Sequence, residues 1–419
     1  MTVRRVLVLS CVLLAAAPQA ARASALDARI ERMVARSPFA GARTGLAVYD
    51  RTTGRFLALH NGRAEMRPAS NMKLATSADL LYRFGPSAHL RTRVLATGTL
   101  SGGTLDGSLW LVGGGDPSLS TKPFARRAHG GVSGLVSDLA ASVRAAGIVR
   151  VLGRLYGDEN AFDRRRTGPY WKASYWRDCP PISALSVNED LYRFGLPQAS
   201  SDPPLYAAQI LVASLKNRGI RFAHGPRTGA HPAGARTVAS ELSPPMSRLV
   251  HQMDVVSDNY YAEVLTKAVA RHAGLRGTTA NGVRLTRRAL HRMGLRLHGA
   301  RILDGSGLSR RDRLSARQIL GILRHAGAQP WGWYFRHALP LAGVSGTLRD
   351  RMTSGPAHGN ALAKTGTLRD ASALSGYVNS RNGHRIIFSI VQNRAQLNVL
   401  AAHRLQDSIV QLLAGSRVG

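Results

Sequence analysis

Apolar positions along the chain follow two periods. Leu26, Ile30, Met33 and Val34 recur at helical spacing and predict a helix over residues 26–39. Residues 44–50 and 55–61 alternate instead, and predict two strands joined by a turn at Thr52-Thr53-Gly54. Pro68 introduces a helical run over 70–84 that Gly85-Pro86 stops. From about residue 91 the pattern shortens to small strands and glycine-rich turns. A strand over 108–112 ends in Gly113-Gly114-Gly115-Asp116-Pro117. This is turn chemistry and not a phosphate loop, because proline follows at once and the closing Lys-Ser/Thr is missing. Helices are predicted over 132–146 and 205–217, a strand over 149–158, and an irregular surface loop over 163–181. Pro244-Pro245 ends this stretch. Helical spacing returns over 246–256, breaks at Ser257-Asp258-Asn259 and resumes over 260–272. Strand-like runs at 360–368, 373–380 and 386–392 follow, the last two joined by the hairpin signal Arg381-Asn382-Gly383, and a helix over 397–413 ends the chain. No internal repeat is present. The pattern is that of a mixed α/β (α+β) protein in which residues 26–90 and 246–419 form one discontinuous domain and residues 91–245 form an inserted one.

The N-terminus and the charge add a compartment. Arg4 and Arg5, the apolar run 6–17, and a small-residue site at Ala21-Arg22-Ala23 or Ala23-Ser24-Ala25 make the three parts of a secretory signal over residues 1–25. The run is too short to span a bilayer, and Cys11 sits too near the start for lipid attachment. The expected product is exported to the periplasm or extracytoplasmic envelope. Export removes one of two cysteines and leaves Cys179 without a partner, read as a small buried filler ahead of a nucleophile. The net charge of +33 drops to about +30 with the signal gone. Nucleic acid is the first partner such an excess suggests, and export argues against it. Peripheral contact with anionic envelope polymers or membrane headgroups remains, although the arginines are scattered and part of the excess is solvated surface. The pattern specifies no oligomeric state.

Chemistry enters with three short motifs in order: Ser70-Asn71-Met72-Lys73, Ser257-Asp258-Asn259 and Lys364-Thr365-Gly366-Thr367. Each alone has a plain reading: Ser70, Ser257 or Asn259 as a helix cap, Lys73 as a solvated side chain, Lys364 as a guard on an edge strand. Together they are specific, since lysine is scarce in this arginine-rich chain and two of the lysines fall in the motifs. Ser70 and Lys73, three apart at a helix start, face the same way. A serine hydroxyl needs a base, and a lysine becomes one when burial or a neighbouring cation lowers its pKa. Lys364 is such a neighbour if the fold brings it close. Ser257 is placed to relay a proton, and Asn259 to orient either a substrate carbonyl or the Lys73 ammonium. Lys-Thr-Gly on a strand offers a cation to a terminal carboxylate and a backbone edge to a strand-like substrate.

These motifs resemble those of penicillin-binding proteins and serine β-lactamases. The segments Pro68-Ala69-Ser70-Asn71-Met72-Lys73, Ser183-Ala184-Leu185-Ser186-Val187-Asn188, Asp304-Gly305-Ser306-Gly307-Leu308-Ser309-Arg310 and those at 113–118 and 363–368 resemble the class C low-molecular-mass penicillin-binding proteins. The resemblance spans nearly all of the mature chain. It implies a penicillin-binding-protein/β-lactamase-like transpeptidase domain, an antiparallel sheet flanked by helices. The implied activity is that of a serine D-Ala-D-Ala carboxypeptidase or endopeptidase acting on peptidoglycan stem peptides through an acyl-enzyme, with β-lactams as covalent inhibitors. Ser70 is then the nucleophile, Lys73 its base, Ser257 and Lys364 the relay to the leaving D-alanine, and Asn259 a substrate holder. Backbone N–H groups of Ser70 and Thr367 form the oxyanion hole. Thr365, Gly366, Thr367 and Arg310 bind substrate, and Asp158 lies in a subsite for the amine of a diaminopimelate side chain. One departure is expected. The family nests a third domain in the second, and here Asn188 runs almost directly into the 205–217 helix, so that domain is absent or reduced to a loop.

Two rival functions are weaker. A class A β-lactamase deacylates with a loop glutamate; Glu189 is the nearest acid and lacks the Glu-x-x-x-Asn setting. A catalytically inactive envelope-binding protein has no need of intact motifs. The fourteen histidines form no His-Glu-x-x-His or comparable set, so no metal or other cofactor is expected.

Overall fold

A computed structural model of the chain describes residues 25–37 and 43–418; the predicted signal segment, Ala25 apart, lies outside the described residues. The first helix, α1 (Ala25–Arg36), buries Ile30 and Val34 on one stripe. The alternation behind it forms β1 (Arg43–Asp50) and β2 (Arg55–His60). Next comes α2 (Lys73–Phe84), entered through a tight 3₁₀ turn at Ala69–Met72. Every residue of α2 from Lys73 to Leu81 is buried, which marks it as a central helix and not an amphipathic surface one.

The chain returns to this region through α3 (Met246–Val255), α4 (Asn259–His272), α5 (Thr279–Arg292) and α6 (Ala316–Ala326). It closes with β3 (Leu362–Leu368), β4 (Ala371–Asn379), β5 (Arg385–Asn393) and α7 (Val399–Gly415). The strands make one antiparallel sheet in the order β3-β4-β5-β1-β2. Both faces are covered, and the alternation on β1 sorts them. Leu46 and Val48 join Ile30 of α1 and Leu405 and Ile409 of α7 on one side. Ala47 and Tyr49 join Leu74 of α2 and Ile319 and Leu320 of α6 on the other. This is the helix-flanked sheet of the expected transpeptidase fold. Neither α5 nor α6 is among the predicted elements, although Ser315 and Gln318 form a capping box at the start of α6.

Residues 91–242 supply the strands of two further sheets. One is ordered Arg227–Thr228, Leu155–Asp158, Leu109–Val112, Arg91–Ala96, Arg236–Leu242; the other Thr99–Ser101, Thr104–Asp106, Arg150–Val151, Arg221–Phe222. Val94, Leu111, Leu139 and Leu211 belong to a core of their own. One expectation is corrected here. The single strand over 149–158 is two strands in different sheets, since Val151 pairs with Leu105 and Phe222 while Leu155 pairs with Leu109. The switch falls at Gly153-Arg154, between Val151 and Leu155, a local break that a single strand over 149–158 passes over. The segment 163–181 is the irregular, largely exposed loop expected, but it is anchored: Tyr175 and Cys179 are buried in the same core as Leu74, Met253 and Tyr260. Its arginines, tryptophans and prolines read as exposed, yet Trp171 donates Nε1–H to Asp304 (2.7 Å) and Lys267 reaches Asp163 (2.7 Å) and the Arg165 carbonyl (2.7 Å). No helix of the described residues is long and apolar enough to cross a membrane.

The pairing of β3 with β4 is close at Gly376, opposite Ala363, where a Cβ would stand 2.0 Å from the Leu362 carbonyl oxygen. Gly376→Ala is expected to lower unfolding stability by about 1–3 kcal/mol, as overpacking does. Thermal melts check this, and an unchanged midpoint would contradict the close pairing.

Candidate active site

Ser70 sits in the 3₁₀ turn, half-buried, one turn before Lys73. The residue before it, Ala69, has φ 47°, a left-handed conformation that costs a non-glycine residue on the order of 1–3 kcal/mol. Neighbouring structure holds the turn there. Asn71 donates from Nδ2 to the Lys364 carbonyl at 3.0 Å, which ties the turn to β3. Gly366 lies against the turn so closely that a Cβ would come within 3.0 Å of Ser70 N. Glycine at this place in the Lys-Thr-Gly motif therefore has a steric reason.

Lys73 Nζ is the hub. It lies 3.0 Å from Ser70 Oγ, 2.7 Å from Asn259 Oδ1 and 3.0 Å from the Ser306 carbonyl oxygen. As an ammonium it donates to all three. As a neutral amine it donates to Asn259 and Ser306 and offers its lone pair to the Ser70 hydroxyl, which is the geometry of a general base. Burial pulls its pKa down to about 8, against the fields of Asp258, Asp254, Asp304 and Glu263. Lys364, wholly buried on β3, is drawn down to about 7 by burial and by the neighbouring Lys73, with Asp254 opposing. Its Nζ donates to the Thr365 carbonyl at 3.2 Å. The charge of Lys73 thus acts on Lys364, and the two titrate as a coupled pair in two steps.

The Asp-Gly-Ser-Gly segment has a structural task the motif alone did not show. The wholly buried Asp304 accepts from Gly307 N (2.8 Å), Ser309 N (2.6 Å) and Trp171 Nε1 (2.7 Å). Glu263 accepts from Gly305 N (3.0 Å) and Ser306 N (2.8 Å). Both acids fold the turn so that Ser306 presents its carbonyl to Lys73.

Other predicted residues fall in varied places. Asn259 opens α4, but Asp258 is the cap, accepting from Tyr261 N at 3.0 Å. The amide of Asn259 is occupied on both ends, by Lys73 at Oδ1 and at Nδ2 by the Asp178 carbonyl, 2.9 Å away. Ser257 is half-buried at φ 64° and makes no side-chain hydrogen bond among the described residues. Thr365 Oγ1 lies 2.7 Å from Thr347 Oγ1, and the exposed Thr367 has Oγ1 3.4 Å from His403 Nε2. Arg310 is exposed beyond the Asp304 turn, its N–H donating to the Tyr170 carbonyl at 3.4 Å.

Asp158 is buried, its carboxylate accepting from Asn160 N (2.9 Å), His231 N (2.9 Å) and His231 Nδ1 (2.5 Å), contacts that fit the role of a turn residue. Asp178, absent from the residues expected at the site, meets it through its backbone carbonyl. Its backbone touches Asn259 and its residue is exposed. The available signal was its position in an aromatic, arginine-rich segment beside a buried cysteine. Glu189 is buried with Oε1 3.6 Å from His129 Nε2, and burial and Asp258 hold its pKa well above the ordinary value.

A serine hydroxyl facing a desolvated lysine, beside a second buried lysine on the edge strand of a helix-flanked sheet, defines a serine hydrolase of the penicillin-binding fold. The model of the D-Ala-D-Ala carboxypeptidase 3 (S13) family matches residues 26–196 and 186–416, and the chain belongs to that family as a serine-type D-Ala-D-Ala carboxypeptidase. It is 30% identical to the D-alanyl-D-alanine carboxypeptidase of an Actinomadura species, covering 89% of this chain and 82% of the relative. It is 31% identical to carboxypeptidase DacB of Mycolicibacterium smegmatis, covering 86% of this chain and 78% of the relative. In fold it is similar to penicillin binding protein 4 (dacB) from Haemophilus influenzae, with TM-score 0.79 at 22% identity, over 91% of this chain and 97% of that one.

Because Lys73 must shed a proton to act as base, acylation by a penicillin is expected to rise with pH through about 7 to 8. Stopped-flow acylation rates check this; a flat profile from about pH 5 to 9 would contradict it.

Proposed function

We propose that the protein trims or cleaves peptidoglycan stem peptides at the D-Ala-D-Ala bond through an ester on Ser70. The observation that carries this reading is the buried Lys73 amine 3.0 Å from Ser70 Oγ. Ser70 Oγ attacks the penultimate D-alanine carbonyl while its proton passes to neutral Lys73. The Ser70 and Thr367 N–H groups take the developing oxyanion, a contribution of roughly 3–4 kcal/mol per donor. The proton then travels by Ser257 and Lys364 to the leaving nitrogen, the C–N bond breaks, and D-alanine departs. Water hydrolyses the ester and restores Ser70. Lys364, Thr365, Gly366 and Thr367 receive the substrate carboxylate and backbone, and Arg310 the stem peptide.

The exposed Asp178 replaces Asp158 as the acid for a cationic side chain in the third stem residue. In support, its backbone carbonyl lies one hydrogen bond from Asn259 and the residue is exposed. The reading places the enzyme outside the cytoplasm, where peptidoglycan lies and the predicted signal segment directs it. Two matched pieces of the family model meet at 186–196, the place where a nested third domain is read as missing. β-Lactams, whose strained amide resembles the scissile bond, should acylate the same serine.

Intact-mass measurement after penicillin treatment should find one adduct on the wild type and none on Ser70→Ala. An adduct on the variant would place the nucleophile elsewhere. With stem peptides, Asp178→Asn should lower kcat/KM on the order of tenfold for a substrate carrying a side-chain amine, as a lost charge-assisted contact does. It should leave an uncharged third residue unaffected, and equal losses on both would exclude the assignment.

A further inference from the structure

Between Glu263 and Asp350 the chain holds fifteen arginines and two acids. Both acids, Asp304 and Asp312, are wholly buried, so this stretch offers cations to solvent and no carboxylate. The fold gathers part of that charge into two cavities. One, of about 620 Å³, is lined by Arg63, Arg296, Arg317 and Arg324, with Glu65 as its single acid. The other, of about 750 Å³, is lined by Arg284, Arg287, Arg288 and Arg292 and has no acid. The segment 291–297 is a wall common to both: Gly294, Leu295 and Arg296 line the first, His291, Arg292 and Leu297 the second.

These guanidinium groups are held in place without being neutralised. Arg317 stacks over Phe56 at 5.0 Å and Arg324 over Tyr49 at 5.1 Å, contacts that orient the fork and leave its N–H edges open. On α5, Arg284, Arg288 and Arg292 recur every four residues and share one face. Arg287 donates to the Ala300 carbonyl (2.7 Å) and Arg284 to Asn281 Oδ1 (3.1 Å), both uncharged partners. None of the arginines lining either cavity has an ion-pair partner among the described residues. Like charges gathered in this way repel one another, and an anion that fills the cavities removes that cost. Phe56 belongs to β2, at the opposite edge of the sheet from β3 and Lys364. Four strand spacings, roughly 19 Å, separate the two edges.

We propose that the two cavities form a docking site for a linear polyphosphodiester, a polyol phosphate chain that lays successive phosphates into each. Guanidinium forks pair with phosphate oxygens two at a time. A bilayer presents its phosphates on a flat surface and does not fill paired depressions. A flexible polyol phosphate bends over the shared wall, which a stiff chain of acidic sugars does not. With the polymer at the far edge of the sheet, the Ser70 cleft stays open, and the enzyme is tethered while it works.

The test is titration of the whole protein with a fluorescently labelled poly(glycerol phosphate) at physiological salt. Arg296→Gln/Arg317→Gln in the first cavity and Arg288→Gln/Arg292→Gln in the second should each weaken binding about tenfold, as lost charge-assisted contacts do, and flatten its salt dependence. Arg150→Gln/Arg221→Gln removes the same charge from exposed positions among residues 91–242 and should leave the affinity nearly unchanged. Equal losses in all three variants would mean attraction to net charge alone and overturn the proposal. Loss confined to one cavity would overturn it too, since the chain would not span both. Polygalacturonate or phosphatidylglycerol vesicles binding as tightly as the phosphate polymer would also overturn it, as would full displacement by inorganic phosphate at matched phosphate concentration. Acylation by penicillin should run at one rate with and without the polymer; inhibition would place the polymer over the Ser70 cleft and overturn a separate site.

Discussion

The cost of keeping two lysines out of water shapes this molecule. An ammonium in a dry interior is unfavourable by several kcal/mol unless donors and charges around it are arranged in advance. Here the arrangement draws on every part of the catalytic domain. The central helix α2 delivers Lys73 from inside the core, β3 delivers Lys364 from the sheet, and α4 contributes the Asn259 oxygen. The Asp304 turn adds a carbonyl that only a rigid loop can hold in line. A lysine on an exposed helix would keep its ordinary pKa and be useless as a base at neutral pH. Burial of α2 on all sides is thus a chemical requirement as much as a packing outcome.

Strain sits where this arrangement is tightest. Ala69 and Ser257 both adopt left-handed backbone conformations, one before the proposed nucleophile and one within the second motif. Neither residue type favours such a shape, and both persist because the surroundings overdetermine them. For the Ser70 turn those surroundings include the Asn71 bond to β3 and the close approach of Gly366. The sheet edge and the nucleophile turn therefore hold each other in register.

Much of the fold was legible from periodicity. The hairpin of β4 and β5, the break at Ser257-Asp258-Asn259 and the helices beside it all follow from local patterns. What stayed hidden did so for physical reasons. The stretch 149–158 has one local break, Gly153-Arg154, and spacing alone does not say that the chain changes sheets there. The 163–181 segment is exposed at Arg164, Trp176 and Arg177, and what spacing hides is its anchoring through partners far away in sequence, such as Lys267 for Asp163. Asp158 was expected from the resemblance alone, and its partner His231, 73 residues on, is one that sequence spacing does not reveal. In the site itself, the clustering of Ser70, Lys73 and Asn259 could be anticipated from the motifs, while Ser306, Asp304 and Asp178 enter through backbone atoms or distant contacts.

Asn259 spends one end of its amide on the base and the other on the backbone of Asp178. Residue 178 lies 105 positions beyond residue 73 in the chain, yet Tyr175 and Cys179 share a core with Leu74. A single planar group therefore joins two segments distant in sequence at the point of chemistry. One side chain thus fixes the distance between the 173–178 segment and the Lys73 amine, and a change at residue 259 would loosen both contacts at once.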